Sequence, residues 1–338
     1  MADMAWDLIG HAWAEKMLQQ HIASGQMRHA YLFSGPAGVG RRTLVLRFAQ
    51  AILCTQADSR GVPCGTCRNC QQIERMQHPD LSLVQAESWG GVLKVEQVRE
   101  LQRQLSLSPY EAAYRIALLL RFDEANDNAQ NALLKTLEEP NDKVVLLLTA
   151  ELAENLLPTI VSRCEVLHLR PVPLQELADA LAKSEGIDTE KAKLIAHIAG
   201  GRPGYALRLV REPELLERRK QWLDDLLGLL GAKRREKLAY AASKFYSRDE
   251  RGEVRDTLRE ALSWWLTFWR DVLLSSSGVD SPLTNLDYRN EVERASKTVD
   301  RSSVVKLVKR LEGALARLNN ANLRLLVEAL LLDWPKIY

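Results

Sequence analysis

The segment HAYLFSGPAGVGRRTLVLRFAQ, residues 29–50, constrains the fold more than any other stretch of the chain. A short apolar run enters a glycine-rich loop, and the loop opens a helical pattern with Leu44, Leu46, Phe48 and Ala49 among its apolar positions. Gly35 and Gly40 keep the spacing of the phosphate loop G-x-x-x-x-G-K-[ST], with Gly38 between them. A strand, loop and helix in this order form a βα unit, which predicts a parallel sheet. Two further apolar runs, RIALLL at 115–120 and VVLLLTA at 144–150, do not alternate and are separated by a helical pattern, as expected of parallel strands buried on both faces.

The predicted fold class is α/β plus all-α, with the sheet domain spanning residues 1–170. Pro171 and Pro173 in LRPVPLQEL end the α/β pattern, because each removes a backbone donor and biases its predecessor away from helix. Residues 171–210 read as a small helical unit broken at AGGRPGYAL, and residues 211–338 as longer amphipathic helices. Within the latter, ALSWWLTFWRDVLL sets Trp264, Trp265, Phe268 and Trp269 on one wide helical face, which serves either as core or as an oligomer interface.

With 46% hydrophobic and 27% charged residues over 338 positions, the chain has the make-up of a globular protein of two or three domains rather than a disordered tail or a fibre. It has no long apolar run and its start lacks a signal-peptide pattern, so the expectation is a cytoplasmic protein with no membrane partner. A formal charge of +2 gives no argument for nucleic-acid binding, since basic clusters such as KRREK carry acids nearby.

In a working phosphate loop, backbone N–H groups surround the phosphates, the lysine neutralises them and the hydroxyl holds magnesium. Here Arg41 stands at the lysine position and Arg42 at the hydroxyl position, while Thr43 comes one residue too late. Arginine keeps the charge but not the compact ammonium, so weak phosphate binding can survive where the geometry for hydrolysis does not. A companion strand ending in Asp-Glu is also needed, and Asp123-Glu124 after RIALLL is the candidate pair.

Four of the five cysteines fall in CTQADSRGVPCGTCRNC, with the spacing C-x9-C-x2-C-x2-C at Cys54, Cys64, Cys67 and Cys70. Four thiolates can close a tetrahedron around zinc, and so short and polar an insertion needs ligand bonds to order it. An iron–sulfur site or four free thiols also fit the spacing. His78 in QHPDL reads as a turn entering a strand rather than a ligand.

HAYLFSGPAGVG, NALLKTLEEP (131–140) and SRC (162–164) resemble the clamp loader subunits of the AAA+ class over most of residues 1–210. In ATP-hydrolysing members of that family the acidic pair lies eleven and ten residues before the Asn that opens NALLK, which here means Leu120 and Arg121. Asp123-Glu124 is then a displaced pair. A lid arginine that touches nucleotide in active relatives corresponds to Gly204. The resemblance thus implies no intrinsic ATPase and no productive ATP binding. It also implies that Arg163 reaches the nucleotide of a neighbouring subunit as a trans arginine finger, that the four cysteines hold structural zinc, that 171–210 is a lid and that 211–338 is an oligomerising collar. The last segment, NNANLRLLVEALLLDW (319–334), resembles the family's closing helix. Implied partners are gamma or tau and delta subunits, and through the complex a sliding clamp and primed DNA. Two other readings stand beside this one: an active gamma- or tau-type clamp loader ATPase, and a zinc-dependent DNA-binding module.

Overall fold

Among the described residues the sheet is five-stranded and wholly parallel: β1 (Ala30–Ser34), β2 (Leu81–Val84), β3 (Arg115–Leu119), β4 (Val144–Ala150) and β5 (Glu165–His168), in the order β2-β3-β4-β1-β5. The computed structural model describes residues 6–58, 60–88, 90–246, 251–279, 281–318 and 321–335. Every residue of β1, β3 and β4 is buried. These central strands alternate between two cores. Tyr31, Phe33, Ile116, Leu118, Val145 and Leu147 face one, packed by the helix Arg41–Leu53. Leu32, Ala117, Leu119, Leu146 and Leu148 face the other, packed by the helices Val95–Leu105 and Asp127–Glu138. Side chains covered on both sides leave no polar face, which is why the strands read as unbroken apolar runs.

The order places β1 between β4 and β5, so the chain leaves β1 into its glycine loop where the sheet's connections diverge. In open α/β sheets, ligand sites form at the carboxyl ends of strands at such a point.

The chain divides into two compact units. The first runs to Ala180 and takes in Gly201–Tyr205; the second comprises Leu181–Gly200 and the chain from Ala206 onward. The helices beyond the sheet are Leu174–Glu185, Thr189–Ala199 and Pro203–Arg211, then longer ones that include Glu214–Leu230, Arg251–Ser276, Arg301–Arg317 and Leu323–Leu332. Asn319 and Asn320, the first two residues of the proposed closing segment, lie outside the described residues.

The aromatic face resolves as core: Trp265, Phe268 and Trp269 are fully buried and Trp264 nearly so. Trp265 meets Trp334 edge-on at 4.9 Å and donates its indole N–H to the Trp222 carbonyl at 2.9 Å. An oligomer interface built on these rings is therefore ruled out, because their surface is spent inside the unit. Beside them, buried Arg219 forms a two-pronged pair with Asp287 at 2.7 and 2.8 Å and also reaches Asn285. That pairing satisfies a charge that burial would otherwise make costly.

Candidate functional site

The glycine loop is fixed by backbone approach on two sides. Gly35 has φ of 151° and donates to the Glu151 carbonyl at 3.0 Å, and a Cβ there would lie 2.4 Å from the Leu169 carbonyl oxygen. Gly40, with φ of 112°, caps the helix Arg41–Leu53. Gly38, with φ of 80°, offers its carbonyl to the Gly204 and Tyr205 N–H groups at 2.8 and 3.3 Å.

Gly204, which the resemblance matches to a nucleotide-touching arginine, is thus used for something else. A Cβ on Gly204 would come within 3.0 Å of the Gly38 oxygen, and one on Gly38 within 2.9 Å of the Tyr205 Cβ. Backbone amides that open the helix Pro203–Arg211 bond directly to the loop, a contact that the sequence showed only as a missing arginine. Gly38→Ala is expected to lower the unfolding free energy by about 2 kcal/mol or more, through left-handed strain and overpacking together. Faster hydrogen exchange at the Gly204 and Tyr205 amides should accompany the loss; an unchanged urea midpoint would show that the approach is not tight.

Arg41 is nearly buried, and its guanidinium lies 3.9 Å from the Glu151 carboxylate. Burial lowers its pKa, while Glu151 and Asp123 act in the opposite sense. Arg42 and Thr43 are exposed, and Arg42 extends to the Met76 sulfur at 3.7 Å. The nearest hydroxyl, on Thr43, thus belongs to an exposed residue one position past the one that would hold a metal.

At the acid positions, Leu120 is buried in the apolar core and Arg121 takes a left-handed φ of 50°. The Arg121 N–H donates to Thr149 Oγ1 at 2.8 Å, and its Nε donates to both oxygens of Glu124 at 3.0 Å. Asp123 Oδ2 accepts the Glu151 N–H at 2.8 Å. Both carboxylates of the displaced pair thus have structural partners. Arg41 Nη1 and Asp123 Oδ1 are among the buried polar atoms that have none.

Arg163 follows the short helix Pro158–Val161 and precedes β5. Its Nη1 donates to the Thr159 carbonyl and its Nη2 pairs with Glu138 Oε1, each at 2.9 Å. The side chain remains 36% exposed, and Glu138 51%. Sequence reading missed Glu138, although it lies inside the NALLKTLEEP motif.

Cys54, Cys64, Cys67 and Cys70 converge, with their sulfurs all within 4.8 Å of one another. Cys54 Sγ lies 3.6 Å from Cys64 Sγ and 3.8 Å from Cys67 Sγ. A tetrahedral ion with metal–sulfur bonds of about 2.3 Å requires sulfur separations of about 3.8 Å, so the donor set fits zinc. Gly61 and Gly65 take φ of 76° and 70° at the turns between the ligands. Backbone amides point at the sulfurs: Cys64 N–H at Cys54 (3.4 Å) and Cys67 N–H at Cys64 (3.2 Å). The N–H groups of Cys67 and Thr66 pull the Cys64 thiol down to about 6, whereas burial pushes Cys70 upward. Cys67 caps the helix Arg68–Glu74, and Asn69 Nδ2 and Gln50 Nε2 tie the module to its neighbours through the Leu53 and Cys70 carbonyls. His78 is not among the ligands. Its Nδ1 accepts the Asp80 N–H at 3.0 Å just ahead of β2.

Asp80 and Arg115 were not singled out from sequence. The buried Asp80 carboxylate accepts the N–H groups of Tyr110, Glu111 and Ala112 at 2.6 to 2.9 Å, and Arg115 lies 3.3 Å away. They brace the loop ahead of β3.

A parallel sheet of this order, a glycine loop leaving β1 and trailing helical segments define a phosphate-loop type α/β module followed by an all-helical region. The family profile described as "DNA polymerase III, delta subunit" matches residues 10–173, and that described as "DNA polymerase III, delta subunit, C terminal" matches residues 213–336. The DNA polymerase III subunit delta prime of Bacillus subtilis is 29% identical over 321 residues, 94% of each chain. That of Pseudomonas aeruginosa is 36% identical over 204 residues, 59% of this chain and 61% of its own. The fold is like that of a DNA polymerase III gamma subunit-related protein from Thermotoga maritima, at a TM-score of 0.52 and 17% identity, covering 96% of this chain and 99% of that one. The chain belongs to the DNA polymerase III delta prime subunit family. No helix among the described residues is long and apolar enough to cross a membrane.

Proposed function

We propose that this chain is the non-hydrolysing member of a clamp loader, standing beside an ATP-bearing gamma or tau subunit and presenting Arg163 to that subunit's nucleotide. A delta subunit completes the complex, which acts on a sliding clamp and primed DNA in the cytoplasm. Residues 171–210 serve as a lid and 211–338 as the collar that assembles with the other subunits. Cys54, Cys64, Cys67 and Cys70 hold one structural zinc; once bound, it orders the insertion and takes no part in chemistry.

One contrast carries the reading. The cation at the lysine position, Arg41, is buried, 3.9 Å from the half-exposed Glu151 carboxylate, and the acid positions hold Leu120 and Arg121. Arg163 stays partly exposed after a short helix. A buried loop cation without the lysine's compact ammonium is ill placed to neutralise a terminal phosphate, whereas a partly exposed guanidinium can meet a neighbour's. The Gly204 and Tyr205 N–H groups bond to the Gly38 carbonyl, a tie that suits a rigid wedge.

A second reading, nucleotide binding without turnover, is favoured by the unpartnered Arg41 Nη1 and Asp123 Oδ1, which a bound polar group would satisfy. Reconstitution separates the cases. With gamma or tau, delta, clamp and primed DNA, adding this chain is expected to raise ATP turnover, and the rise should survive Arg41→Ala. A rise abolished by Arg41→Ala would place a working nucleotide site in this chain instead.

A further inference from the structure

We infer that Glu138 is a positioning residue for Arg163, its carboxylate fixing the guanidinium plane before the partner's nucleotide arrives; the inference rests on the trans-finger reading above. The two side chains come from separate elements held in register. Glu138 ends the helix Asp127–Glu138, and that helix is pinned to the segment before Arg163 by Gln130 Oε1, which accepts the Leu157 N–H at 2.8 Å. Ile160, between them, is fully buried. The frame that carries the finger is thus anchored at both ends, and only the arginine side chain has freedom left to lose.

Glu138 Oε1 and the Thr159 carbonyl remove that freedom, each at 2.9 Å from a different terminal nitrogen of Arg163. A guanidinium carries five N–H donors in one rigid plane, so two contacts orient the plane and leave three donors for phosphate oxygens. An arginine without these contacts would have to order its long side chain at the moment of engagement, a cost borne in the rate. Glu138 touches no substrate; it acts through Arg163.

The test uses the full chain in the reconstituted complex, with ATP turnover measured on clamp and primed DNA and assembly checked by size-exclusion chromatography. Glu138→Ala is expected to lower kcat by about two- to fivefold, the effect of one partly exposed ion pair, with KM for ATP and assembly unchanged. Glu138→Gln, whose amide oxygen still accepts the Arg163 donor, should recover most of the rate. In an Arg163→Ala background, Glu138→Ala should have no further effect, because residues that act as a unit do not add. If Arg163→Ala slows turnover while Glu138→Ala leaves or raises kcat, positioning is wrong and the finger stands. Additive effects, or loss of assembly in both Glu138 variants, also overturn the positioning role. If Arg163→Ala itself has no effect, the finger reading fails first.

Discussion

Arg163→Ala is expected to slow hydrolysis at the neighbouring subunit's site by about a thousandfold or more while leaving this chain folded. The first half follows from what such a guanidinium does. Aimed at charge developing on the transferred phosphate, an arginine supplied in trans accelerates hydrolysis by about 10³ to 10⁵. The second half follows from what the side chain does at rest. Its pair with Glu138 joins two groups that are 36% and 51% exposed, and such surface pairs are worth about 0 to 1 kcal/mol. On the proposed reading Arg163 contributes little to stability and much to catalysis, an imbalance that a merely structural arginine would reverse. The loss should appear in single-turnover kinetics as a missing fast phase. Arg163→Lys should restore only a fraction, since an ammonium lacks the planar fork. A variant that hydrolyses normally would remove the trans role.

Removal of the zinc proposed at the four cysteines is expected to cost more stability than any single substitution considered above. The insertion that carries the cysteines has little apolar surface: Gln56, Ala57, Asp58 and Arg60 are exposed, and Cys64 and Cys67 only half-buried. Ligand bonds must then supply the order, and structural zinc contributes about 10 to 16 kcal/mol in small zinc-dependent peptides. Here the module is an insertion between the helices Arg41–Leu53 and Arg68–Glu74 of a unit whose sheet has its own cores, so the loss should be local. It should reach Leu53 and Cys70, whose carbonyls are held by Asn69 and Gln50. The purified protein should hold about one zinc per chain by elemental analysis. Chelation at denaturant-free pH 7, or Cys67→Ser, should release that zinc and abolish hydrogen-exchange protection over 54–74. The substitution also deprives the helix Arg68–Glu74 of its sulfur cap. Protection unchanged by chelation would mean that four thiols suffice, and a brown iron-bearing protein would name a different metal.

The sheet was legible because burial on both faces turns β3 and β4 into continuous apolar runs, a pattern that needs no partner to be recognised. β2 was harder to see: LSLV is four residues long and half its side chains are incompletely covered, so its strand character comes from pairing with β3. The four cysteines were legible because their ligand spacing is local in sequence. The aromatic face could be placed on one side of a helix, but sequence could not choose between core and interface; burial of Trp265, Phe268 and Trp269 decides it.

What stayed hidden was pairing across distance. Nothing near Arg41 announces Glu151, and nothing near Arg163 announces Glu138, because each partner arrives on another element of the fold. Gly204 shows a subtler limit. As a letter it marks the loss of an arginine; in space it is the residue that lets a helix amide reach the Gly38 carbonyl. The same holds for Asp123, which is displaced in sequence yet hydrogen-bonded to the Glu151 amide beside the loop.

The most direct measurement is magnesium-dependent ATP turnover by the isolated full chain, followed with radiolabelled nucleotide over hours. With Arg41 paired to Glu151, Thr43 exposed and Leu120 in place of an acid, the account predicts no release of phosphate above the buffer blank. Steady turnover that is lost in Arg41→Ala or Asp123→Asn would contradict it.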